Sequence, residues 1–220
     1  TGRIKTRAGM QHKVEGMSHA IRPDSNELEE ARRIADNALK TCEAVKPKEN
    51  NVKLGLGWTE NSFVLENLNG VHGYTHSEDY IQIEFNSGID GWRDALKTQV
   101  SHEYAHSVFF ESREEIAFNW QYILFEAHSQ HFAEQIYDGK APWRTYFSQE
   151  ELAGRWSELR PKMSSGIEEE PVFRSKEYHE WLGYSLAYAI GEKLLEQHEL
   201  EKLPGLKRSD VIEAGDEIFQ

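Results

Sequence analysis

The feature that most constrains this chain is the HExxH pattern at residues 102–106, which lies in a stretch from about 92 to 111 with the apolar spacing of a helix. Residues four apart in a helix share one face, so the imidazoles of His102 and His106 can reach the same point. Glu103 is rotated by roughly 100° from His102, which places its carboxylate beside that point. The pattern therefore predicts a helix with a two-histidine metal site and an adjacent carboxylate.

Cys42 is the single cysteine of the chain, which excludes a thiolate metal cluster, so zinc here would need histidine and carboxylate ligands. Zinc lowers the pKa of a water molecule that it binds from 15.7 to about 7 and polarises a peptide carbonyl. Glu103 would then act as general base, taking a proton from water and passing it to the leaving amine. The alternative interpretation is a solvated helix face with two surface histidines.

A catalytic zinc site also needs a third protein ligand and an open fourth position. A second helical pattern, from about 115 to 138 and ended by Gly139, follows after a short connection. Its candidate ligands are Glu126, His128 and His131. His128 points roughly 200° away from Glu126 on a helix, and His131 has the alternative of being a packed histidine. The residues alone leave these three candidates open.

These motifs together resemble the DUF2268 family of predicted zinc-dependent proteases, a gluzincin-type group within the zincin fold. The family pattern joins HExxH to a helix of the form E-G-x-A-E-x-F-A, a later Pro-Trp and a Gly-Tyr-x-x-x-Tyr run. The resemblance covers roughly residues 95 to 192. The matching residues are His102, Glu103, His106, Glu126, His131, Phe132, Ala133, Pro142, Trp143, Gly183, Tyr184 and Tyr188.

The most specific part of the resemblance is the position of Glu126, twenty residues after His106, a separation typical of gluzincins. The resemblance implies Glu126 as the third ligand of one Zn²⁺ per chain. It also implies a zincin-like fold and a peptidase activity.

Two positions depart from the family pattern, namely Ala127 in place of glycine and Gln130 in place of an acid. In gluzincins that acid commonly orients a zinc histidine through its free ring nitrogen. Gln130 can accept the same hydrogen bond without charge, which favours lower metal affinity or activity. We expect Gln130 and His131 to support the ligands, with Glu134 as a less suitable substitute for the missing acid.

A hydrolase of this kind also benefits from a donor that stabilises the oxyanion of the tetrahedral intermediate. The helix predicted at about 176 to 198 offers Tyr178, His179, Tyr184 and Tyr188. Tyr184 and Tyr188 lie one turn apart and both belong to the family pattern, so we predict them as catalytic residues. The alternative is that the aromatic side chains form the core face of this helix.

The rest of the chain predicts an α+β fold, with a small, mostly antiparallel sheet packed on the HExxH helix and a helical C-terminal half. Asp24 and Glu27 have capping-box spacing and begin an amphipathic helix that ends near residue 45. Further predicted helices span about 149–159 and 209–217, and the predicted strands are 52–58, 62–65 and 80–85.

The last predicted strand directly precedes the HExxH helix, so it is our candidate for the sheet edge along which a peptide substrate would bind as an added strand. The residues that we assign to this substrate-edge strand are Ile81, Ile83 and Phe85. A central position of this strand is the alternative.

The predicted organisation is a flexible N-terminal segment, residues 1–23, and one zincin-like domain, 24–220, with its sheet at about 50–90 and its helical part at about 92–220. The net charge is −13, from 25 basic and 38 acidic residues, which disfavours nucleic acid and anionic membranes as partners. We expect a peptide or protein substrate instead. No apolar run approaches the roughly 18 residues of a membrane span, and the N-terminal region is too polar for a signal peptide.

The sequence thus predicts a cytoplasmic zinc metallopeptidase, or a secreted one if an upstream signal was removed. A non-hydrolytic zinc- or peptide-binding module on a zincin fold is the first alternative. A helical interaction protein with a chance HExxH pattern is the second.

Overall fold

The computed structural model describes residues 23–112, 115–139, 141–173 and 175–219, and it is an α+β fold. The N-terminal segment predicted to be flexible therefore lies, except for Pro23, outside the described residues. The helices are α1 (Ser25–Val45), α2 (Ser62–Asn67), α3 (Trp92–Ser112), α4 (Asn119–Tyr137), α5 (Gln149–Lys162), α6 (Leu182–Leu194) and α7 (Arg208–Phe219). The strands are β1 (Lys53–Trp58), β2 (Val71–Ser77) and β3 (Tyr80–Phe85), and short 3-10 helices span Pro142–Thr145 and Leu200–Gly205.

The sheet is mixed, with strand order β1-β3-β2, so the prediction of a mostly antiparallel sheet is wrong. β3 pairs with β2 in antiparallel fashion and with β1 in parallel fashion. A parallel pair needs a crossover connection of about a dozen residues or more. The chain between β1 and β3, which contains α2 and β2, provides that connection and places β3 between its two neighbours.

One predicted strand is a helix, and one strand was missed. The Ser62–Leu65 run begins α2, because the side chain of Asn61 accepts a hydrogen bond from the backbone of Phe63 and caps a helix there. The missed strand is β2, whose polar residues and Gly73 give a weak strand signal. Short apolar runs do not by themselves distinguish a helix from a strand.

Helix α1 confirms the predicted capping box. The carboxylate of Asp24 accepts hydrogen bonds from the backbone of Asn26 and Glu27, and the Glu27 carboxylate accepts one from the backbone of Asp24. The predicted apolar face is buried, and it forms a core with α3 and the sheet. The members of this face are Ala31, Ile34, Ala35, Ala38 and Cys42.

Helices α3 and α4 pack against each other and join the two halves of the molecule. α3 contacts α1 and the sheet, whereas α4 contacts α6. A second and larger core lies among α4, α5, α6 and α7, around the buried side chains of Ile123, Leu124, Trp156, Leu159 and Leu186.

The C-terminal helices differ from their predicted bounds. α4 begins at Asn119 instead of 115, and α6 spans only Leu182–Leu194 of the predicted 176–198. α5 runs three residues past the predicted end at 159, with Pro161 inside its last turn. Helix ends are set by capping contacts that apolar spacing does not report. No helix in the described ranges is both long and apolar enough to span a membrane.

Candidate metal centre

Helix α3 carries both histidines of the HExxH pattern inside the protein. Every residue from Val100 to Phe109 is buried. The rings of His102 and His106 have their centroids 4.5 Å apart and stand nearly perpendicular to each other. A helix that is buried on all sides is not a solvated surface, so the interpretation with two surface histidines is wrong.

Helix α4 places a carboxylate against both histidines. One oxygen of Glu126, Oε2, lies 3.4 Å from Nε2 of His102, and the other, Oε1, lies 3.7 Å from Nε2 of His106. Potential ligand atoms of the three side chains all lie within 4.8 Å of one another, and the described residues contain this one cluster of the kind. The side chain of Glu126 is 3% exposed. The three predicted ligands are therefore together.

The surroundings of the Glu126 carboxylate, which faces two imidazole nitrogens, fit a cation at this point. Its Oε2 atom is buried and has no hydrogen-bond partner among the described residues. A buried carboxylate oxygen without a partner is costly unless an opposite charge or a donor compensates it. Two imidazole nitrogens and one carboxylate are a common ligand set of catalytic zinc sites. The residues therefore fit a zinc ion.

A serine on α4 contacts one ring nitrogen of His106 and leaves the other facing Glu126. The hydroxyl of Ser129 donates a hydrogen bond to the backbone carbonyl of Phe125, at 3.0 Å, and lies 2.6 Å from Nδ1 of His106. With the hydroxyl donating to Phe125, Nδ1 of His106 donates to Ser129, and Nε2, the nitrogen that faces Glu126, is the one placed to bind a metal.

Glu103 lies beside the cluster and is held by two side chains. Its Oε2 accepts a hydrogen bond of 2.6 Å from the hydroxyl of Thr75 on β2, and its Oε1 accepts one of 2.8 Å from the amide of Gln99 on α3. The Thr75 hydroxyl also lies 2.9 Å from the backbone oxygen of Glu103. The carboxylate is therefore fixed in place next to the histidines without being one of the clustered ligands.

Strand β2 passes directly over Glu103 because position 73 is glycine. A Cβ atom at Gly73 would lie 2.5 Å from Cγ of Glu103 and 2.7 Å from Cδ1 of Ile83. Real Cβ contacts are essentially never this short. Glycine is thus required for the sheet to approach the HExxH helix this closely.

Burial changes the proton affinities of the site. The pKa of Glu103 lies above its ordinary value because burial disfavours the charged carboxylate, although His102 and Thr75 act in the opposite direction. Burial on its own lowers the pKa of His102. The Glu126 carboxylate raises it, however, and the net direction is upward. The raised pKa values of Glu103 and His102 both indicate a site that is poorly hydrated and negatively charged.

The cluster lies in a cleft of about 620 Å³ between the sheet side and the helical C-terminal half. Tyr184 of α6 lines this cleft together with His102, His106, Glu103 and Glu126, so one predicted donor is near the candidate metal ligands. The ring of Tyr184 packs against that of Trp143, with centroids 5.1 Å apart.

The other predicted donors do not line this cleft. The hydroxyl of Tyr188 donates to Glu134 at 2.8 Å, and the residue is not part of the cleft lining. Tyr178 makes hydrogen bonds with Lys162 and Glu158 on α5. His179 stacks on Tyr146. Of the two predicted catalytic tyrosines, Tyr184 lines the cleft, whereas Tyr188, one turn further along α6, bonds Glu134 on α4.

The predicted supporting residues do not contact the ligands as expected. The amide nitrogen of Gln130 donates to the backbone of Tyr184 at 3.3 Å, and its Oε1 atom has no partner among the described residues. The predicted hydrogen bond from a zinc histidine to Gln130 is therefore absent. His131 stacks on Tyr188 and its Nε2 lies 3.1 Å from the Tyr188 backbone oxygen, so it supports α6.

His128 is not a ligand either. It is fully buried between α3 and α4, close to the rings of Phe109 and Phe132. Burial lowers its pKa to about 3, partly opposed by a hydrogen bond to the backbone of Ala105. It is a neutral core histidine.

The predicted substrate edge is also misplaced. β3 is the central strand, and its residues Ile81, Ile83 and Phe85 are buried in the core, so the prediction of an edge strand there is wrong. The strand that lies beside Glu103 is β2, which is at one end of the strand order.

Sequence reasoning missed four residues that shape the site. Gln99 is one helical turn before Glu103, and Ser129 is three residues after Glu126, so helix periodicity offered a signal for both. Thr75 and Gly73 reach the site from β2, far from the HExxH pattern in sequence, and no local pattern points to them.

A buried two-histidine, one-glutamate cluster with a second glutamate beside it, in an open cleft, defines a candidate zinc hydrolase centre. The chain belongs to the family described as predicted Zn-dependent protease (DUF2268), whose model matches residues 31–211 and thus most of the chain. The zinc dependence and the general protease role follow from that membership. No curated protein and no solved structure matches the chain.

Proposed function

We propose that this protein is a gluzincin-type metallopeptidase of zincin-like architecture, with one zinc ion per chain held by His102, His106 and Glu126. The observation that carries the proposal is the arrangement of Glu103. Its carboxylate is buried at the floor of the cleft, hydrogen-bonded by Thr75 and distinct from the clustered ligand atoms. A general base needs this position, next to the metal ligands and open to a substrate.

A zinc ion held there would lower the pKa of water toward about 7 and polarise a peptide carbonyl. The protein's own contribution begins with Glu103, which accepts the proton of the attacking water. Its raised pKa suits this role, because burial makes the carboxylate a better proton acceptor than an exposed one. Glu103 then delivers the proton to the leaving amine.

The developing oxyanion needs a donor on the opposite side of the cleft. Tyr184 supports this role because it lines the cleft with the candidate ligands. Tyr188 does not, since its hydroxyl is engaged by Glu134. We therefore assign the role to Tyr184 and assign Tyr188 to the packing of α6 on α4.

The substrate is a peptide or an unfolded protein segment that binds along β2. β2 has β3 as its neighbour and contacts Glu103 through Thr75. An extended peptide that pairs with β2 as an added strand would bring one carbonyl over the ligand cluster. This proposal moves the predicted substrate edge from β3 to β2.

Zinc content tests the site. Elemental analysis of the wild type, His106→Ala and Glu126→Ala should give about one zinc per chain in the wild type and background levels in both variants. His76→Ala, a variant of an exposed histidine on β2, should keep its zinc. A wild type that binds no zinc even when it is supplied would refute the proposal and favour the helical interaction protein.

A second candidate function is a zinc- or peptide-binding module that does not hydrolyse. The observation that favours it is the uncharged Gln130, whose Oε1 atom lacks a partner where the family pattern has an acid. Turnover separates the two functions. A peptidase should cleave peptides and lose this activity in Glu103→Gln with zinc retained, whereas a binding module should show zinc, peptide binding and no cleavage in either protein.

A further inference from the structure

One end of the cleft contains a group of apolar side chains next to His106. They come from the end of α3, from the connection after it and from the first half of α4. We call this group the aromatic pocket. Its members are Phe110, Ile116, Tyr122 and Phe125, all of which line the cleft.

The aromatic pocket is continuous with the candidate metal ligands. The ring of Phe125 stacks on that of His106, with centroids 3.6 Å apart and planes inclined by 11°. Phe110 and Tyr122 pack against the other sides of Phe125, at 5.3 and 5.6 Å between centroids. A group that occupies this pocket would therefore lie immediately beside the scissile bond.

The pocket is held by the core beneath it. Phe173 packs on Tyr122 with centroids 4.3 Å apart, and Phe109 packs edge-on to Phe125 at 5.3 Å. Phe125 itself is 7% exposed. Rings that are fixed from below keep their shape when a ligand binds, so the pocket can discriminate ligands by size.

The charge of the cleft also favours an apolar ligand over an acidic one. Its described lining contains three glutamates, Glu103, Glu126 and Glu180, and neither lysine nor arginine. An acidic side chain placed here would lose water without gaining a cation, which is unfavourable. An apolar side chain would lose only unfavourable contacts with water.

We propose that the aromatic pocket binds a large apolar side chain of the substrate, such as that of phenylalanine, leucine or methionine, at a residue that flanks the cleaved bond. This inference rests on the peptidase function proposed above, because it names the substrate of the same site. It makes Ile116 a specificity-determining residue, since that side chain lies on the connection between α3 and α4, is partly buried and lines the cleft.

The test measures affinity, so that it does not depend on turnover. The probes are three peptide hydroxamates that differ only in the side chain expected to enter the pocket, phenylalanine, alanine or glutamate, and the protein is the zinc-loaded full chain. We expect the phenylalanine probe to bind about 10- to 200-fold more tightly than the alanine probe. The glutamate probe should bind most weakly.

Two variants assign the preference to the pocket. Ile116→Trp fills the pocket and should lower the affinity for the phenylalanine probe about tenfold or more. The affinity for the alanine probe and the zinc content should not change. Ile116→Ala widens the pocket and should favour a naphthylalanine probe over the phenylalanine probe. The matched control is Phe118→Trp on the same connection, a side chain that is 43% exposed and outside the cleft lining, which should behave as the wild type.

Equal binding of the phenylalanine and alanine probes to the wild type would overturn the assignment. So would an Ile116→Trp variant that keeps its zinc and its preference for phenylalanine. Peptide cleavage measured in parallel separates this failure from that of the peptidase proposal. Cleavage without a side-chain preference refutes the pocket alone, whereas a clear preference in binding with no cleavage of any peptide refutes the peptidase alone.

Discussion

The two walls of the cleft hold different parts of the site. The helical wall, formed by α4, supplies Glu126 as a candidate ligand and Ser129 as the partner of His106. The sheet wall, formed by β2, supplies no candidate ligand and holds Glu103 through Thr75 and Gly73. The proposed ligands and the proposed general base therefore depend on separate elements that meet at α3, and substitutions in the two walls should have separable effects.

The largest effect on zinc affinity is expected from a substitution in the helical wall. Glu126→Ala removes one of three proposed ligands, so we expect zinc affinity to fall by more than about 100-fold and peptide cleavage to fall with it, because the loss of even an outer-shell partner costs 10- to 100-fold. Zinc titration with a competing chelator measures the first quantity. An unchanged zinc affinity would show that Glu126 is not a ligand.

Glu103→Gln should lower turnover without lowering zinc affinity. The amide keeps the shape of the side chain but does not accept a proton, so kcat should fall by about 10²- to 10⁴-fold. Zinc affinity should stay within a few-fold of the wild type, which elemental analysis of the same sample will show. Retained turnover would show that Glu103 is not the general base, and the proposed division between the two walls would be wrong.

Ser129→Ala tests how the helical wall supports the ligand His106. Without the hydroxyl, the ring of His106 loses the partner that fixes its Nε2 toward Glu126, and we expect zinc affinity to fall by about 10- to 100-fold. At saturating zinc, kcat should recover to near the wild-type value. The matched control is Ser101→Ala, which removes a buried serine of α3 whose hydroxyl accepts a hydrogen bond from Cys42 instead of contacting His106.

Thr75→Val is the smallest change and tests the sheet wall. It removes the hydroxyl that holds Glu103 and keeps the branched shape, so we expect kcat to fall about tenfold, since about 1.5 kcal/mol, the lower end of what a hydrogen bond to a charged group contributes, corresponds to roughly that factor. Zinc affinity should not change. A loss of zinc in this variant would mean that the sheet wall also positions the ligands.

The helices of the site were predictable because their information is local. The periodicity around residues 92–111 predicted the buried helix that carries His102 and His106, and the twenty-residue separation pointed to Glu126. The capping box of α1 was predictable for the same reason, since its contacts span three residues.

The errors lie where partners are distant in sequence. β2 was missed because its strand character comes from pairing with β3, and the position of β3 at the centre depends on the crossover from β1. Gln130 was expected to bind a zinc histidine, but its amide turns to the backbone of Tyr184 on α6. Tyr184 and Tyr188 could not be distinguished from the sequence, because the difference between them comes from the cleft beside Tyr184 and from the contact of Tyr188 with Glu134.

The sequence by itself pointed to the candidate ligands and the candidate general base, because helix geometry brings His102 and His106 together with Glu103 beside them, and the resemblance to the family selects Glu126. The tertiary structure decided how that set is supported. Only the packing of β2 over Glu103, made possible by Gly73, and of α4 against α3 brings Thr75 and Ser129 to their partners. Such contacts depend on the fold as a whole, since no local spacing encodes which residues of a strand and a helix will meet.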